Sequence, residues 1–337
     1  MTASNNGHSV SAGLARCYFD FAVARGANAF ELAAQAQIDP ALWSDADIRV
    51  PLARYKALVR AGKTLSREPG LPLHFAETID MAEFSIVGLL ANASMTMREA
   101  LQQLNRYGQL VAEVNVGPGP RFVYEIHGGA PWLVDTRADP DDFYELTEST
   151  FTRMICHPRS FLPRPFVHEA FVTYPEPEHC AVYEAVWRCP VRFSAPRNAL
   201  RTDASLRDHR LRPQPAYAFG ALSERAEQLI AELRAVKTAR GRVEQLLVPI
   251  LHTGEASMDA IAAALGQSRQ TLYRNLRAEG FTFEQVLDDL RRQLALHYLG
   301  SKRVSVNEAA YLIGFSDRRA FSRAFKRWTG KSPAQRD

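Results

Sequence analysis

The 337-residue chain has no long hydrophobic run. Its longest nearly apolar stretch, Phe84 to Ala93, is interrupted by Ser85 and Asn92. A membrane-spanning helix needs about 20 apolar residues, so a span is excluded. The first ten residues, MTASNNGHSV, have neither a basic end nor an apolar stretch, so no signal peptide is expected. Without secretion, the glycosylation pattern Asn92-Ala93-Ser94 carries no meaning. Cysteine is scarce: Cys17, Cys156, Cys180 and Cys189 stand apart, with no CxxC pair. Reduced, buried thiols in a cytoplasmic protein are the expectation. The cluster Cys156-His157, His168, His179-Cys180 and Cys189 fits no zinc spacing, so no metal and no cofactor are expected. Gly-x-Ser-x-Gly and His-Glu-x-x-His are absent. Gly330-Lys331-Ser332 resembles the end of a phosphate-binding loop, but Phe325 stands where that loop needs glycine. No enzymatic activity is expected.

Hydrophobic residues make up 46% and charged residues 23%, as in ordinary folded proteins. At about 150 residues per domain, the length suggests two domains. The net charge of +4 is unevenly spread. Residues 238–337 hold 16 Lys/Arg against 10 Asp/Glu, a net of +6, and the remainder holds 25 against 27, a net of −2. A basic terminal module points to nucleic acid.

Residues 14–65 read as helices with short breaks. Leu52, Tyr55, Leu58 and Val59 have helical spacing, and Pro51 suits a first turn. Thr96 to Leu110 predicts another helix, with Thr96 and Glu99 as a capping box and Ala100, Leu101, Leu104 and Tyr107 as its apolar stripe. The alternation Ala112, Val114, Val116, then Gly117-Pro-Gly-Pro120, then Phe122, Tyr124, Ile126 predicts strand, turn and strand. Phe166–Tyr174 and Val191–Phe193 are further strand candidates. Residues 1–220 therefore read as an α+β domain for sensing or dimerisation, with a boundary in the Arg-, Asp- and Pro-rich stretch 201–220 (Pro213, Pro215). Residues 221–237 read as a helical linker. In it Leu222, Ala226, Leu229, Leu233 and Val236 follow 4-3-4-3 spacing. Either an amphipathic helix packed on its own domain or a dimer-forming helix fits that stripe.

Residues 238–337 read as an all-α domain containing a repeat. Ser257-Met-Asp-Ala-Ile-Ala-Ala-Ala-Leu-Gly266-Gln-Ser268 aligns with Ser305-Val-Asn-Glu-Ala-Ala-Tyr-Leu-Ile-Gly314-Phe-Ser316 at an offset of 48 residues. In each copy a serine caps a short helix, glycine permits a left-handed turn, and a second serine caps the next helix. Ile261 with Leu265, and Ala309 with Ile313, face inward. The second helix buries Leu272 and Leu276 in one copy and Phe321, Phe325 and Trp328 in the other. This is the plan of the helix-turn-helix, over 257–277 and 305–328. The free faces carry Arg269, Gln270, Tyr273, Arg274 and Arg277 in the first copy, and Arg318, Arg319, Ser322, Arg323, Lys326 and Arg327 in the second. Arginine can bond two guanine acceptors, glutamine can pair with adenine, and spare cations meet phosphates. Double-stranded DNA is the expected partner, with Arg274 and Arg323 as groove candidates and Arg277 and Arg327 as phosphate contacts. Phe283 to Leu299 predicts one long helix joining the two units.

Gly314-Phe-Ser-Asp317, Phe321-Ser-Arg-Ala-Phe-Lys-Arg-Trp328 and Gly330-Lys-Ser-Pro333 resemble the signature of the AraC family of bacterial transcription regulators. That pattern continues with Pro, two residues, an aromatic and Arg. Here Arg336 comes one place early and no aromatic follows, a departure that bears on the last short helix. Thr96-Met-Arg-Glu-Ala-Leu101, Cys189-Pro-Val-Arg-Phe193 and Pro196-Arg-Asn-Ala-Leu200 are similar to the N-terminal domain of the subgroup resembling ornithine-utilisation regulators. The resemblance implies a small-molecule effector domain, often a homodimer, coupled to promoter activation, with RNA polymerase as a further partner. Some relatives repair alkylated DNA through a cysteine-rich zinc module near the start, but only Cys17 lies in the first 150 residues here. For the effector, Arg197 and Arg201 are weak candidates, because on a helix they would share a face and clamp an anion. Trp132, Tyr144 and Trp187 are expected in the core rather than in a pocket. A ligand-independent regulator, controlled by a protein partner or by a thiol or metal switch, is the alternative.

Overall fold

The computed structural model describes residues 7–40, 43, 45–116, 119–162, 165–204, 209–211, 216–300, 304–315 and 317–333. The chain divides into two compact units, Met1–Ile230 and Ala231–Asp337. Among the expectations above, Gly117, Pro118, Pro213, Pro215, Ser316, the Val236 side chain and everything after Pro333 lie outside the described residues. No described helix is long and apolar enough to cross a membrane.

The first unit contains β1 (Ser9–Ser11), α1 (Ala12–Ala24), α2 (Ala29–Ala36), β2 (Arg49–Pro51), α3 (Leu52–Ser66), α4 (Leu71–Thr78), α5 (Ile86–Ala93) and α6 (Met97–Tyr107). There follow β3 (Phe122–His127), β4 (Ala130–Asp135), α7 (Tyr144–Cys156), β5 (Val167–Phe171), α8 (Cys180–Trp187), β6 (Val191–Arg192), β7 (Ala199–Thr202) and the start of α9 (Ala216–Lys237). Helix starts follow side-chain capping: Ser11, Asn28, Ser85 and Thr96 each accept a backbone N–H of the first turn. The Glu99 carboxylate accepts from the Met95 N–H at 2.6 Å, one residue earlier than a capping box requires.

β1 and β2 form a small antiparallel pair. The main sheet has the order β3-β4-β7-β5-β6, antiparallel except for the β5–β6 pair. The hairpin differs from the one expected: β3 pairs with β4, across Gly128 and Gly129, and not with residues 112–116. Both glycines have positive φ, 59° and 75°, which is the requirement of a tight two-residue hairpin turn. The 112–116 stretch divides its backbone between partners, Glu113 N–H donating to the Ser9 carbonyl and Ala138 N–H to Asn115. It makes only isolated bridges, from Ala112 to Val10 and Val116 to Arg137.

Two apolar cores result. One gathers α1 to α5 around Tyr18, Tyr55 and Phe75. The other lies among the sheet, α7 and α8, around Phe151, Tyr183 and Trp187. Ala226 and Ile230 of α9 are buried in the first core with Leu222 packed beside them, and Tyr107 donates to Glu227 at 2.6 Å. Leu229 and Leu233 are also buried. Of the heptad-spaced stripe, Ala226, Leu229 and Leu233 are thus buried and Leu222 is partly buried.

Among its described residues the second unit is all helical: α10 (Ala239–Leu247), a 3-10 turn (Val248–Thr253), α11 (Met258–Ala264), α12 (Arg269–Ala278), α13 (Phe283–Gly300), α14 (Val306–Leu312) and α15 (Arg318–Thr329). Val243, Leu251, Ile261, Leu272, Leu276, Val286 and Leu290 form one core. Ala295, Leu299, Ala309, Ile313, Phe321 and Phe325 form the next. Both cores draw on α13, and Leu294 packs against each.

Phe321 is fully buried, so Phe321→Ala should destabilise the second unit by about 3–5 kcal/mol. A urea melt followed by circular dichroism that matches the unsubstituted protein would show the core face to be misassigned. The two turn glycines should differ. Gly266 has φ 64° with nothing near its missing Cβ, so Gly266→Ala should cost about 1 kcal/mol of strain. At Gly314, φ 79°, a Cβ would lie 2.2 Å from the Leu251 carbonyl oxygen, so Gly314→Ala should destabilise well beyond strain alone. Equal melting of the two variants would refute that close approach.

Candidate functional site

Each helix-turn-helix unit is built by caps and one glycine. Ser257 accepts from the Ala260 N–H to start α11, and Ser268 accepts from the Thr271 N–H to start α12. Ser305 forms a full capping box with Glu308 at the start of α14. The Ser305 backbone N–H holds the Glu308 carboxyl below its usual range. Asp317, not the expected Ser316, caps α15 by accepting from the Ala320 N–H at 2.8 Å, and that bond lowers the Asp317 carboxyl. The second unit thus starts its recognition helix with a negative charge on the N-terminal dipole.

Leu272 and Leu276 bury one face of α12, which leaves Arg269, Gln270, Tyr273, Arg274 and Arg277 exposed on the other. Phe321, Ala324 and Phe325 bury one face of α15, which leaves Arg318, Arg319, Arg323, Lys326 and Arg327 exposed beside a half-buried Ser322. The structure therefore brings each predicted set onto a single face, spaced i, i+1, i+4, i+5. Their states differ. Arg269 is ion-paired to Asp259 of α11 at 2.7 Å. Arg327 is ion-paired to Asp288 of α13 at 2.8 Å, and the Trp328 indole N–H donates to the same carboxylate at 2.8 Å. Arg277 lies over the Tyr273 ring at 6.0 Å. Among the described residues, Arg274, Arg318 and Lys326 have no ion-pair partner.

Several positioning residues had no signal in the sequence. Arg291 of α13 donates from Nε to the Ile313 carbonyl at 3.0 Å and from Nη2 to the Gly314 carbonyl at 3.3 Å, with its guanidinium 5.2 Å from the Phe315 ring. It closes the end of α14 at the turn into α15. Glu279, just past α12, accepts the N–H groups of Ala239 and Arg240 at 2.6 and 3.0 Å and so caps α10. Arg240 then spans Glu244, Asp289 and the Phe281 ring. Apart from Glu244, four residues from Arg240, each partner lies some 20 to 50 residues away.

The first unit holds a cavity of about 760 Å³. Its walls come from α5, α6, α7, β3, β4 and the strap 209–211, including Met97, Leu101, Leu104, Tyr124, Arg153 and Phe161. The strap is tied to residues 95–97 by the Met97 N–H to the His209 carbonyl and the Leu211 N–H to the Met95 carbonyl. Arg197 and Arg201 do not line it. The helix on which they would share a face does not form: Arg197 lies in the loop before β7 and Arg201 within β7. Arg197 pairs with Glu125 over the Trp132 ring, and Arg201 pairs with Glu169 at 3.4 Å. Tyr144 and Trp187 pack in or against the second core. Burial pushes the Cys156 and Cys189 thiols up to about 11, which keeps them protonated and poorly reactive. Among the described residues, no three His, Cys, Asp or Glu side chains gather as a metal site.

Two helix-turn-helix units with basic exposed faces define a DNA-binding module. Residues 261–336 match a family model described as a helix-turn-helix domain. Residues 26–211 match the N-terminal arabinose-binding domain of AraC transcription regulator. The class is that of a DNA-binding transcription regulator, not an enzyme. The chain belongs to the AraC family. It is 26% identical over 311 residues to the ornithine utilization regulator of Pseudomonas aeruginosa, covering 89% of this chain and 87% of that one. It is 26% identical over 333 residues to the HTH-type transcriptional regulator VirS of Mycobacterium tuberculosis, covering 94% and 93%. The crystal structure of the transcriptional regulator CdpR from Pseudomonas aeruginosa aligns over 90% of this chain and 95% of that one, at 20% identity and a TM-score of 0.41.

Arg291→Met should leave the Ile313 and Gly314 carbonyls without their donor and cost about 1–3 kcal/mol in the second unit. Urea denaturation of the purified protein checks this, and an unchanged midpoint would remove Arg291 from the positioning residues.

Proposed function

We propose that a small molecule bound in the 760 Å³ cavity of the first unit controls how this regulator engages promoter DNA. The observation that carries the reading is the strap 209–211. It forms part of the cavity wall and precedes α9 by only a few residues. A ligand touching the strap therefore touches the segment that leads into the α9 helix. The ligand must bind the DNA-competent arrangement better than the other, or it shifts nothing. Cavities of this size, largely apolar with a few polar groups, suit small effectors.

On the DNA side, α12 and α15 are the reading helices. Arg274 and Arg323 read base edges, with Gln270, Tyr273, Arg318, Arg319, Ser322 and Lys326 beside them, and Arg269, Arg277 and Arg327 meet phosphates. A homodimer presents two such modules to paired half-sites in the cytoplasm, where it meets RNA polymerase at the promoter. In this reading 1–220 is the effector and dimerisation domain, 221–237 the helical linker and 238–337 the DNA-binding domain. The effector named by a relative's title does not carry over automatically, since 26% identity leaves the cavity lining free to differ.

Arg323→Ala should weaken specific operator binding by about 1–3 kcal/mol. Equal affinity of the variant in a titration against the operator would remove Arg323 from the reading set. An effector at about 100 times its dissociation constant should stabilise the protein by about 2.7 kcal/mol, visible as a thermal shift. A metabolite panel without any shift, together with a co-purifying protein partner, would favour control by that partner instead.

A further inference from the structure

Among the described residues, Arg153 of α7 has no ion-pair partner. Its Nε and Nη2 are buried and have no hydrogen-bond partner among the described residues. The guanidinium lies 5.3 Å from the Phe75 ring centre, and Phe75 is fully buried. The nearest titratable groups acting on it are the Tyr55 phenol and the Cys17 thiol, both neutral because burial raises them. Neighbouring α7 residues are satisfied or apolar: Thr152 accepts the Trp187 indole N–H at 2.8 Å, and Phe151 and Ile155 are core. A buried charge left unpaired is strongly unfavourable, so a fold rarely keeps one without use.

Arg153 also lines the cavity. The remaining lining is asymmetric in charge. Arg98 and Arg210 join Arg153 there, beside the His157 and His209 rings, against one acid among the described residues, Asp80. Each Asp80 oxygen accepts one hydrogen bond, from the Ala82 N–H at 2.9 Å and from the Asn92 amide at 3.4 Å. The rest of the wall is aliphatic, thioether and aromatic, with Met81, Met97, Leu101, Leu104, Met154 and Phe161. An α-amino acid would bring its ammonium group among these arginines, with Asp80 the one lining acid among the described residues.

We infer that the effector is an organic carboxylate without an ammonium group, its carboxylate paired with Arg153 and its apolar body against the α5–α6 wall. This inference rests on the effector reading above and narrows it to a chemical class. The bound anion supplies the counter-charge that Arg153 lacks among the described residues. Arg153 is thus a specificity residue whose presence weakens the empty domain.

The test uses the full chain and a series of straight-chain and aryl carboxylates, each beside its methyl ester, with ornithine as the ammonium-bearing comparison. Thermal shift screens the series and calorimetric titration ranks it. At least one acid should bind about tenfold or more tightly than its ester, as a charge-assisted pair provides. Arg153→Met should abolish that preference, Arg153→Lys should retain part of it, and ornithine should not bind. Ligand-free Arg153→Met should melt no lower than the unsubstituted protein, whereas a purely structural arginine would leave it less stable. Equal binding of acid and ester, unchanged acid binding in Arg153→Met, or no bound carboxylate in the whole series would each overturn the inference. Ala100→Trp, which fills the cavity, separates the two levels. If esters bind and Ala100→Trp abolishes their binding, the cavity remains an effector site and only the anionic class falls. If Ala100→Trp changes neither ligand binding nor DNA affinity, the effector reading falls with it.

Discussion

Neither helix-turn-helix unit can close its own core. The paired helices run 7 and 10 residues in the first and 7 and 12 in the second. Isolated helices that short are marginal in water. α13 supplies the missing wall to both: Phe283, Val286 and Leu290 to the first, Ala295 and Leu299 to the second. At about 1.5 Å per residue its 18 residues make a rod of about 27 Å. Its polar side does comparable service. Arg291 closes the α14 turn, and Asp288 anchors Arg327 and Trp328 of α15. The placement of both reading helices follows from this one element.

The DNA-binding module was legible in the sequence because its signals are local. A serine or aspartate cap, a left-handed glycine and a 3.6-residue stripe all lie within about 20 residues, and the second copy repeats them. What stayed hidden was non-local. Nothing near Arg291 in sequence announces Ile313, and nothing near Glu279 announces Ala239. In the first unit, the Gly-Pro pairs around residue 118 outweighed Gly128-Gly129 as a turn signal, although two adjacent glycines free to take positive φ better suit a two-residue hairpin. Arg197 and Arg201 attracted notice by helical spacing that the loop and strand do not provide. Arg153 had no pattern at all, since its lack of a partner is a property of the packed fold.

The cavity wall depends on a close backbone approach. A Cβ on Gly88 of α5 would come 2.2 Å from the Met81 carbonyl carbon, so α5 lies directly on the 81–83 turn. That turn also holds Asp80, which caps it through the Ala82 N–H. Apolar α5 and α6 surfaces therefore line the same space as a carboxylate held by that turn. The first unit combines a tightly packed pair of cores with an open region between helices, sheet and strap.

The ion pairs of Arg269 and Arg327 set how the regulator responds to ionic strength. A cation with no intramolecular partner displaces counter-ions from DNA when it meets a phosphate, and affinity then falls as salt rises. A cation that leaves Asp259 or Asp288 to reach a phosphate abandons an acid that takes up a counter-ion in its place. Salt also weakens the exposed pair given up, so the two salt effects oppose each other. Of the eight arginines and lysines on the two faces, those two therefore contribute geometry more than salt sensitivity. Counting formal charges on these faces therefore overstates the salt dependence expected of DNA binding.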